Sequence, residues 1–176
     1  MHRHHRVHRA ILGAGILVLL ALPSLAQEEA NKAVWMRSID EIWNTRNTSV
    51  IEELYAADFT MIQESGIGQV LGPAGYHVYF QTYVTGVPDI RMEVEQSIAE
   101  GDWAAIRYTA GGTHGGELLG IPPTGNPAHV VCISIGRFRD GQFIENTMHF
   151  DKMSMMQQFG VLPPPEARVE GWGVPA

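Results

Sequence analysis

Apolar positions along this chain change period once, and the change divides the predicted helices from the predicted strands. Between residues 30 and 43 the stripe Ala30, Ala33, Val34, Met36, Ile39, Ile42 and Trp43 recurs at spacings of three and four, which predicts an amphipathic helix. Asn44 to Thr48 interrupts it. A second helix is expected from Ser49, whose hydroxyl is spaced to cap the amide near Glu52 while Glu52 reaches back, with Ile51, Leu54 and Tyr55 on its apolar side. A short strand over residues 59–63 follows. Gly72-Pro73 then opens a third helix with proline in its first turn, and Tyr76, Tyr79, Phe80, Tyr83 and Val84 form an aromatic stripe that stops at Gly86 and Pro88.

From residue 90 the period becomes two. Ile90, Met92, Val94 and Ile98 alternate with Arg91, Glu93, Glu95 and Ser97, a strand with one wet face. Glu100-Gly101-Asp102 turns the chain into a second strand over 103–110, a Gly- and Pro-rich excursion spans 111–127, and a third strand covers 128–138. Asp140-Gly141 fits a tight hairpin that sets the last strand, 142–151, antiparallel to the one before. A short helix over 152–159 ends at Gly160. Helices first and an antiparallel meander afterwards give an α+β fold, with helices packed over the mouth of a cone-shaped sheet.

The N-terminus has the three-part layout of a secretory signal: a basic stretch with Arg3, Arg6 and Arg9, an apolar core over 10–22, and Ser24-Leu25-Ala26 as a cleavage site. Thirteen apolar residues fall short of the roughly 20 needed to cross a bilayer. Cleavage after Ala26 leaves a domain over 27–162 and an irregular tail over 163–176, exported to the periplasm or beyond the cell. Losing three arginines takes the formal net charge from −7 to −10, which argues against nucleic acid and anionic lipid as partners. Cys132 is the single cysteine, so an intramolecular disulfide is excluded, and its apolar neighbours mark it as a small buried hydrophobe.

Candidate chemistry concentrates on the last strand. Alternation puts Phe143, Glu145, Thr147, His149 and Asp151 on one face and Ile144, Met148 and Phe150 on the other. Two readings stay open: the polar face is solvated, or it lines a pocket in which apolar walls raise the pKa of Asp151 and His149 orients it. Arg107 would then pair with Asp151 or Glu145. His114 stands among glycines that let the backbone approach a ligand. His114, His129, His149, Glu145 and Asp151 show no zinc-type spacing, so no metal is expected.

Several segments together resemble a known family: Pro88-Asp89, Gly101-Asp102, Gly112-Thr113-His114 with Gly116-Glu117, Gly120-Ile121-Pro122-Pro123-Thr124-Gly125, Arg137-Phe138, Gly141, Glu145, Asp151, Gln157-Gln158 and Gly160. They are similar to the SnoaL-like polyketide cyclase (ester cyclase) family of the nuclear transport factor 2-like, cystatin-like superfamily, over nearly all of residues 28–162. The resemblance implies a conical α+β barrel, no cofactor, and an aldol-type ring closure in which an aspartate, at the position of Asp151, moves the protons. This chain has Ile62 where members often carry histidine, and Thr147 where they often carry tryptophan.

Two functions follow as expectations. The first is cofactor-free acid/base chemistry on a small, largely apolar molecule, with Asp151, His149 and His114 as the reacting groups and Glu145, Arg107, Thr147, Tyr76, Phe80 and Trp103 around the substrate. The second is non-catalytic binding of such a molecule in the same pocket. The exposed side of the sheet points to a homodimer.

Overall fold

The computed structural model describes residues 14–63 and 68–164. The basic stretch of the expected signal, residues 1–9, and most of the tail, residues 165–176, lie outside the described residues. Helix α1, Ala14–Arg37, runs without a break into a π-helical segment, Ser38–Asn44, in which the Asp40 carbonyl accepts from Thr45 N at 3.0 Å. The widened turns bring Ser38, Ile39, Ile42 and Trp43 to the core together. Arg46, with a φ of 64°, ends the segment.

The expected second helix is reduced to a 3-10 turn, Thr48–Val50, and the single turn α2, Ile51–Leu54. Ser49 does not cap it: its hydroxyl donates to Asn47 Oδ1 at 2.6 Å. Strand β1, Tyr55–Gln63, therefore starts four residues earlier than the pattern indicated, and a four-residue strand β2, Gly68–Leu71, pairs with it. Helix α3, Gly72–Gly86, carries Pro73 in its first turn. Strands β3, Arg91–Glu100, β4, Trp103–Thr113, β5, Pro127–Arg139, and β6, Gln142–Phe150, form the meander, and α4, Lys152–Gln158, follows. Asp140 and Gly141 both have positive φ, 53° and 77°, as a two-residue hairpin with the twist of its strands requires.

Six strands make one curved sheet in the order β2-β1-β6-β5-β4-β3. It is open, with β2 and β3 at its edges, and one junction departs from the expected antiparallel pairing: β1 runs parallel to β6. The parallel pair is reached because the whole of α3 and the meander intervene between the two strands, enough chain for a crossover.

Helices α1 and α3 fill the concave side. Trp35 packs edge-on against Phe143 at 4.6 Å between ring centroids, Tyr55 stacks on Tyr76 at 4.0 Å, and Trp35 Nε1 donates to Ala104 O at 3.3 Å. Gly136 is where strand β5 passes Trp35: a Cβ there would lie 3.0 Å from both Trp35 Cζ2 and Phe143 Cε1. The N-terminal end of the packed body is fixed by Asn31, which donates to Gly101 O at 3.0 Å, and by Glu28, which accepts from Gly101 N at 3.1 Å. Among the described residues no helix is long and apolar enough to cross a membrane.

Candidate functional site

The concave face of the sheet and α3 leave a hollow between them. Its walls come from Trp43 at the end of the π-helical segment, Tyr79 and Tyr83 on α3, Met92 on β3, Ala110 and Gly111 on β4, Ala128, Val130 and Cys132 on β5, and Met148 and Phe150 on β6. Leu118, from the β4–β5 loop, and Met155 and Phe159, from α4 and the residue after it, close the mouth. The cavity measures about 60 Å³. That holds a few water-sized bodies, less than the roughly 150 Å³ of a dry cavity that takes benzene. Three methionines, with unbranched and rotatable side chains, stand in its walls, so the space is adjustable.

Two loops hold this lining in place. Leu118 and Ile121 exchange both backbone hydrogen bonds at 3.0 Å across Leu119 and Gly120, which have φ of 54° and 80°. This small hairpin pushes Leu118 inward, while Gly115 N and Gly116 N both donate to Gly86 O at 3.0 Å and dock the loop on the end of α3. Side-chain amides fasten the far end of α4. Gln158 exchanges two hydrogen bonds with the His129 backbone at 2.9 and 3.1 Å, and Asn126 Nδ2 donates to Phe159 O at 2.9 Å.

None of the sequence-predicted site residues is among those that line the hollow. A register shift between Arg137 and Phe138, opposite Phe143 and Glu145, inserts one extra residue into β6. Phe143 therefore shares the buried face with Asn146 and Met148, and Glu145, Thr147 and His149 turn to the outer face. Asp151 is exposed and caps α4, its Oδ1 accepting from Ser154 N at 2.8 Å. Arg107 also faces outward and pairs with Glu95 rather than with Asp151 or Glu145. Trp103 is exposed beneath the Arg137 guanidinium, 5.6 Å from its ring, and Glu145 stands opposite Arg137 in the ladder. Thr147 lies between Ile135 and Ile62 on that outer side.

Tyr76 and Phe80 are buried, but in the aromatic core behind the wall, where Tyr76 Oη accepts from Trp43 Nε1 at 3.0 Å. His114 is fully buried beneath the C-terminal end of α4. It stacks on Phe159 at 4.4 Å, its Nδ1 is 3.1 Å from Thr124 Oγ1, and its Nε2 has no hydrogen-bond partner among the described residues. Sequence reasoning had Tyr79 and Tyr83 in the aromatic stripe but assigned Tyr76 and Phe80 to the ligand. The helical stripe spans more than one face's width, and only the packing of α3 against β1 and β2 selects the lining positions.

Electrostatically the hollow is neutral. Its ionisable groups are phenols and a thiol, and burial pushes Tyr79 well above the ordinary tyrosine value and Cys132 up to about 11. Both stay protonated at neutral pH, so the wall offers O–H and S–H donors and no base. Among the described residues no three His, Cys, Asp or Glu side chains are grouped to hold a metal ion.

Residues 33–159 match the sequence profile of the SnoaL-like polyketide cyclase family. No curated protein gives a significant match. Among solved structures, a protein assigned as a SnoaL-like polyketide cyclase from Jannaschia sp. CCS1 superimposes with a TM-score of 0.71 at 26% identity, over 77% of this chain and 95% of its own. AclR from Streptomyces galilaeus, assigned as a hydroxylase, does so with a TM-score of 0.66 at 26% identity, over 76% and 83%. A Catenulispora acidiphila protein with a ketosteroid isomerase-like fold, solved in complex with trimethylamine, shares the fold at 17% identity, with a TM-score of 0.61 over 72% and 92%.

Proposed function

The chain belongs to the SnoaL-like polyketide cyclase family, and from that premise we propose that it takes up a small, largely apolar molecule into the hollow beneath α3 and α4. The observation that carries this reading is the wall: seventeen residues with no charged side chain among them, and Trp43, Tyr79, Tyr83, Met92, Met148 and Met155 as its bulk. Bringing a charged ligand there would leave it unpaired, at a cost of several kcal/mol. Binding is favoured over proton transfer because a general base must reach the substrate, and the protonated phenols and thiol of the wall cannot act as one at neutral pH.

The test is toluene binding followed by NMR. The parent protein is expected to bind toluene saturably, and Ala128→Leu, which fills the wall from β5, to abolish that binding while the fold is retained by circular dichroism. Saturable binding that survives the substitution would overturn the reading.

A second reading, proton transfer by Asp151, draws support from its place in the chain. Asp151 directly follows Phe150, a wall residue, and caps the short helix that carries Met155, another. Asp151→Asn keeps an N-cap acceptor and removes the base, so turnover of a substrate should collapse with its affinity nearly unchanged. Equal turnover in both proteins would end this reading.

Export and pairing complete the proposal. Leu25 is exposed, whereas the contacts of the packed body include Glu28 and Asn31, so cleavage after Ala26 removes none of them. Along β5 the outward residues Val131, Ile133 and Ile135 are 45–50% exposed. The Arg107–Glu95 and Arg137–Asp102 pairs flank them. An apolar strip edged by both charge signs is self-complementary about a two-fold axis, which suits a second copy of this chain.

A further inference from the structure

At the inner end of the hollow two tyrosine hydroxyls converge on one thioether. Tyr79 comes from α3, Tyr108 from β4 and Met148 from β6. Tyr108 Oη lies 3.1 Å from Met148 Sδ, and Tyr79 Oη donates to the same sulfur across 3.8 Å. Thioether sulfur is a weak acceptor, whereas a buried phenol ordinarily gives its proton to oxygen. Besides Met148, Tyr108 meets Ser134 Oγ at 3.4 Å, long for a hydrogen bond between hydroxyls, and the thiol of Cys132, a weak partner like the thioether. Burial holds both phenols well above the ordinary tyrosine value, so both carry their protons.

Position matters as much as chemistry. Met148 and Tyr79 line the hollow, while Tyr108 stands one layer deeper, opposite Cys132 in the β4–β5 ladder and directly behind Met148. Around them the wall is apolar, Trp43, Val130 and Phe150, apart from the thiol of Cys132. Swinging the flexible Met148 side chain aside therefore enlarges the cavity and uncovers a donor at its deep end in one movement.

We infer that the ligand of this hollow is a small apolar molecule carrying one carbonyl-type oxygen, seated so that this oxygen replaces Met148 Sδ as acceptor for the hydroxyls of Tyr79 and Tyr108. The inference rests on the reading of the hollow as a binding site and adds the polar contact that orients the occupant. A pure hydrocarbon leaves the phenols on sulfur and gains nothing from them. A carboxylate finds donors but no positive charge among the lining residues.

A shape-matched pair of probes tests this on the full chain: cyclohexanone, and methylidenecyclohexane, in which C=CH2 stands for C=O. Tyr108→Phe and Tyr79→Phe are each expected to weaken cyclohexanone about tenfold, the loss of one well-made hydrogen bond, and to leave methylidenecyclohexane within about twofold. Met148→Leu keeps the volume and removes the sulfur, so cyclohexanone should bind more tightly and the hydrocarbon should not. The carbonyl carbon of labelled cyclohexanone should shift downfield on binding to the parent protein, and less in either tyrosine variant.

Parallel changes for both probes, or indifference of the ketone to both tyrosines, overturn the oxygen subsite and leave apolar binding standing. Failure of both probes to bind the parent protein overturns the subsite and the binding reading together. If Tyr108→Phe does not fold, Tyr79→Phe and Met148→Leu decide the same question, because each alters the acceptor exchange at a side chain that lines the hollow.

Discussion

Replacing Gly116 by alanine tests how the β4–β5 loop is docked against α3. A Cβ at this position would lie 2.1 Å from Thr85 O and 3.0 Å from Thr85 C, against about 3.3 Å for an ordinary carbon–oxygen contact. Both neighbours are backbone atoms of a helix end, so the loop has to retreat by about 1 Å. Retreat breaks the two hydrogen bonds from Gly115 N and Gly116 N to Gly86 O, worth about 1 kcal/mol each. It also lifts Leu118, 1% exposed, whose full burial contributes about 2 kcal/mol. Fewer unfolded conformations of alanine offset about 0.5 kcal/mol of this. The net loss is about 3.5 kcal/mol, or a Tm lower by about 7–14 °C for a chain of this size.

Gly115→Ala is the matched control, because its Cβ would meet Pro88 Cδ at an ordinary 3.4 Å. Its stability should stay within about 0.5 kcal/mol of the parent. Differential scanning calorimetry and urea unfolding on the two variants read the difference directly. Stabilities within about 1 kcal/mol of each other would refute the docking argument, as would an undisturbed toluene affinity in Gly116→Ala, since Leu118 is part of the wall.

Other expectations are more local. Thr113 N and Thr113 Oγ1 donate to Asp89 at 2.7 and 2.9 Å and hold its carboxyl below the ordinary 3.8. A depressed folded value means a contribution that is complete above the ordinary value and lost as pH falls through the folded one. Urea midpoints between roughly pH 2 and pH 5 should therefore fall less steeply in Asp89→Asn than in the parent. Cys132, raised to about 11 and buried, should react with a disulfide reagent at pH 8 only after unfolding. Rapid reaction of the folded protein would show that the hollow is open to solvent at β5. Ile135→Lys should convert a dimer into monomers in sedimentation velocity with Tm little changed, and a parent protein that sediments as a monomer would remove the proposed interface. A chain starting at Gln27 should keep the Tm of the full chain within about 2 °C, and a larger drop would mean that the residues before it are part of the packed body.

The element order was legible because each long segment keeps one period. The stripe through Trp43, the aromatic face of α3 and the alternation along β3 to β6 all lead to helices on a curved sheet. What escaped was registration. One inserted residue near Ile144 moves Phe143 to the buried face, while Glu145, Thr147 and His149 stay opposite Met148 and Phe150 as the alternation had them, on a face that turns outward: of the two readings left open, the solvated one matches their placement. A second register shift, between Val94 and Gln96, places Glu95 where it meets Arg107 and Thr109. No spacing rule links those three positions. Strand β2 was missed because four residues, Gly68–Leu71, carry too little pattern to recognise. Asp151 presents a third case: a carboxylate ahead of a short helix satisfies the capping pattern as well as any catalytic one, and the amide of Ser154 takes it.

The sheet ends at β2 on one side and β3 on the other instead of joining into a ring. A closed barrel resists widening, because every increase in girth strains or breaks a ladder bond somewhere along the hoop. Here the two margins can spread by a slight uncoiling of the sheet with all ladders intact. For the ligand uptake proposed above, the size of the guest would then be set by how far the strands relax and the methionines yield, rather than by the empty space enclosed at rest.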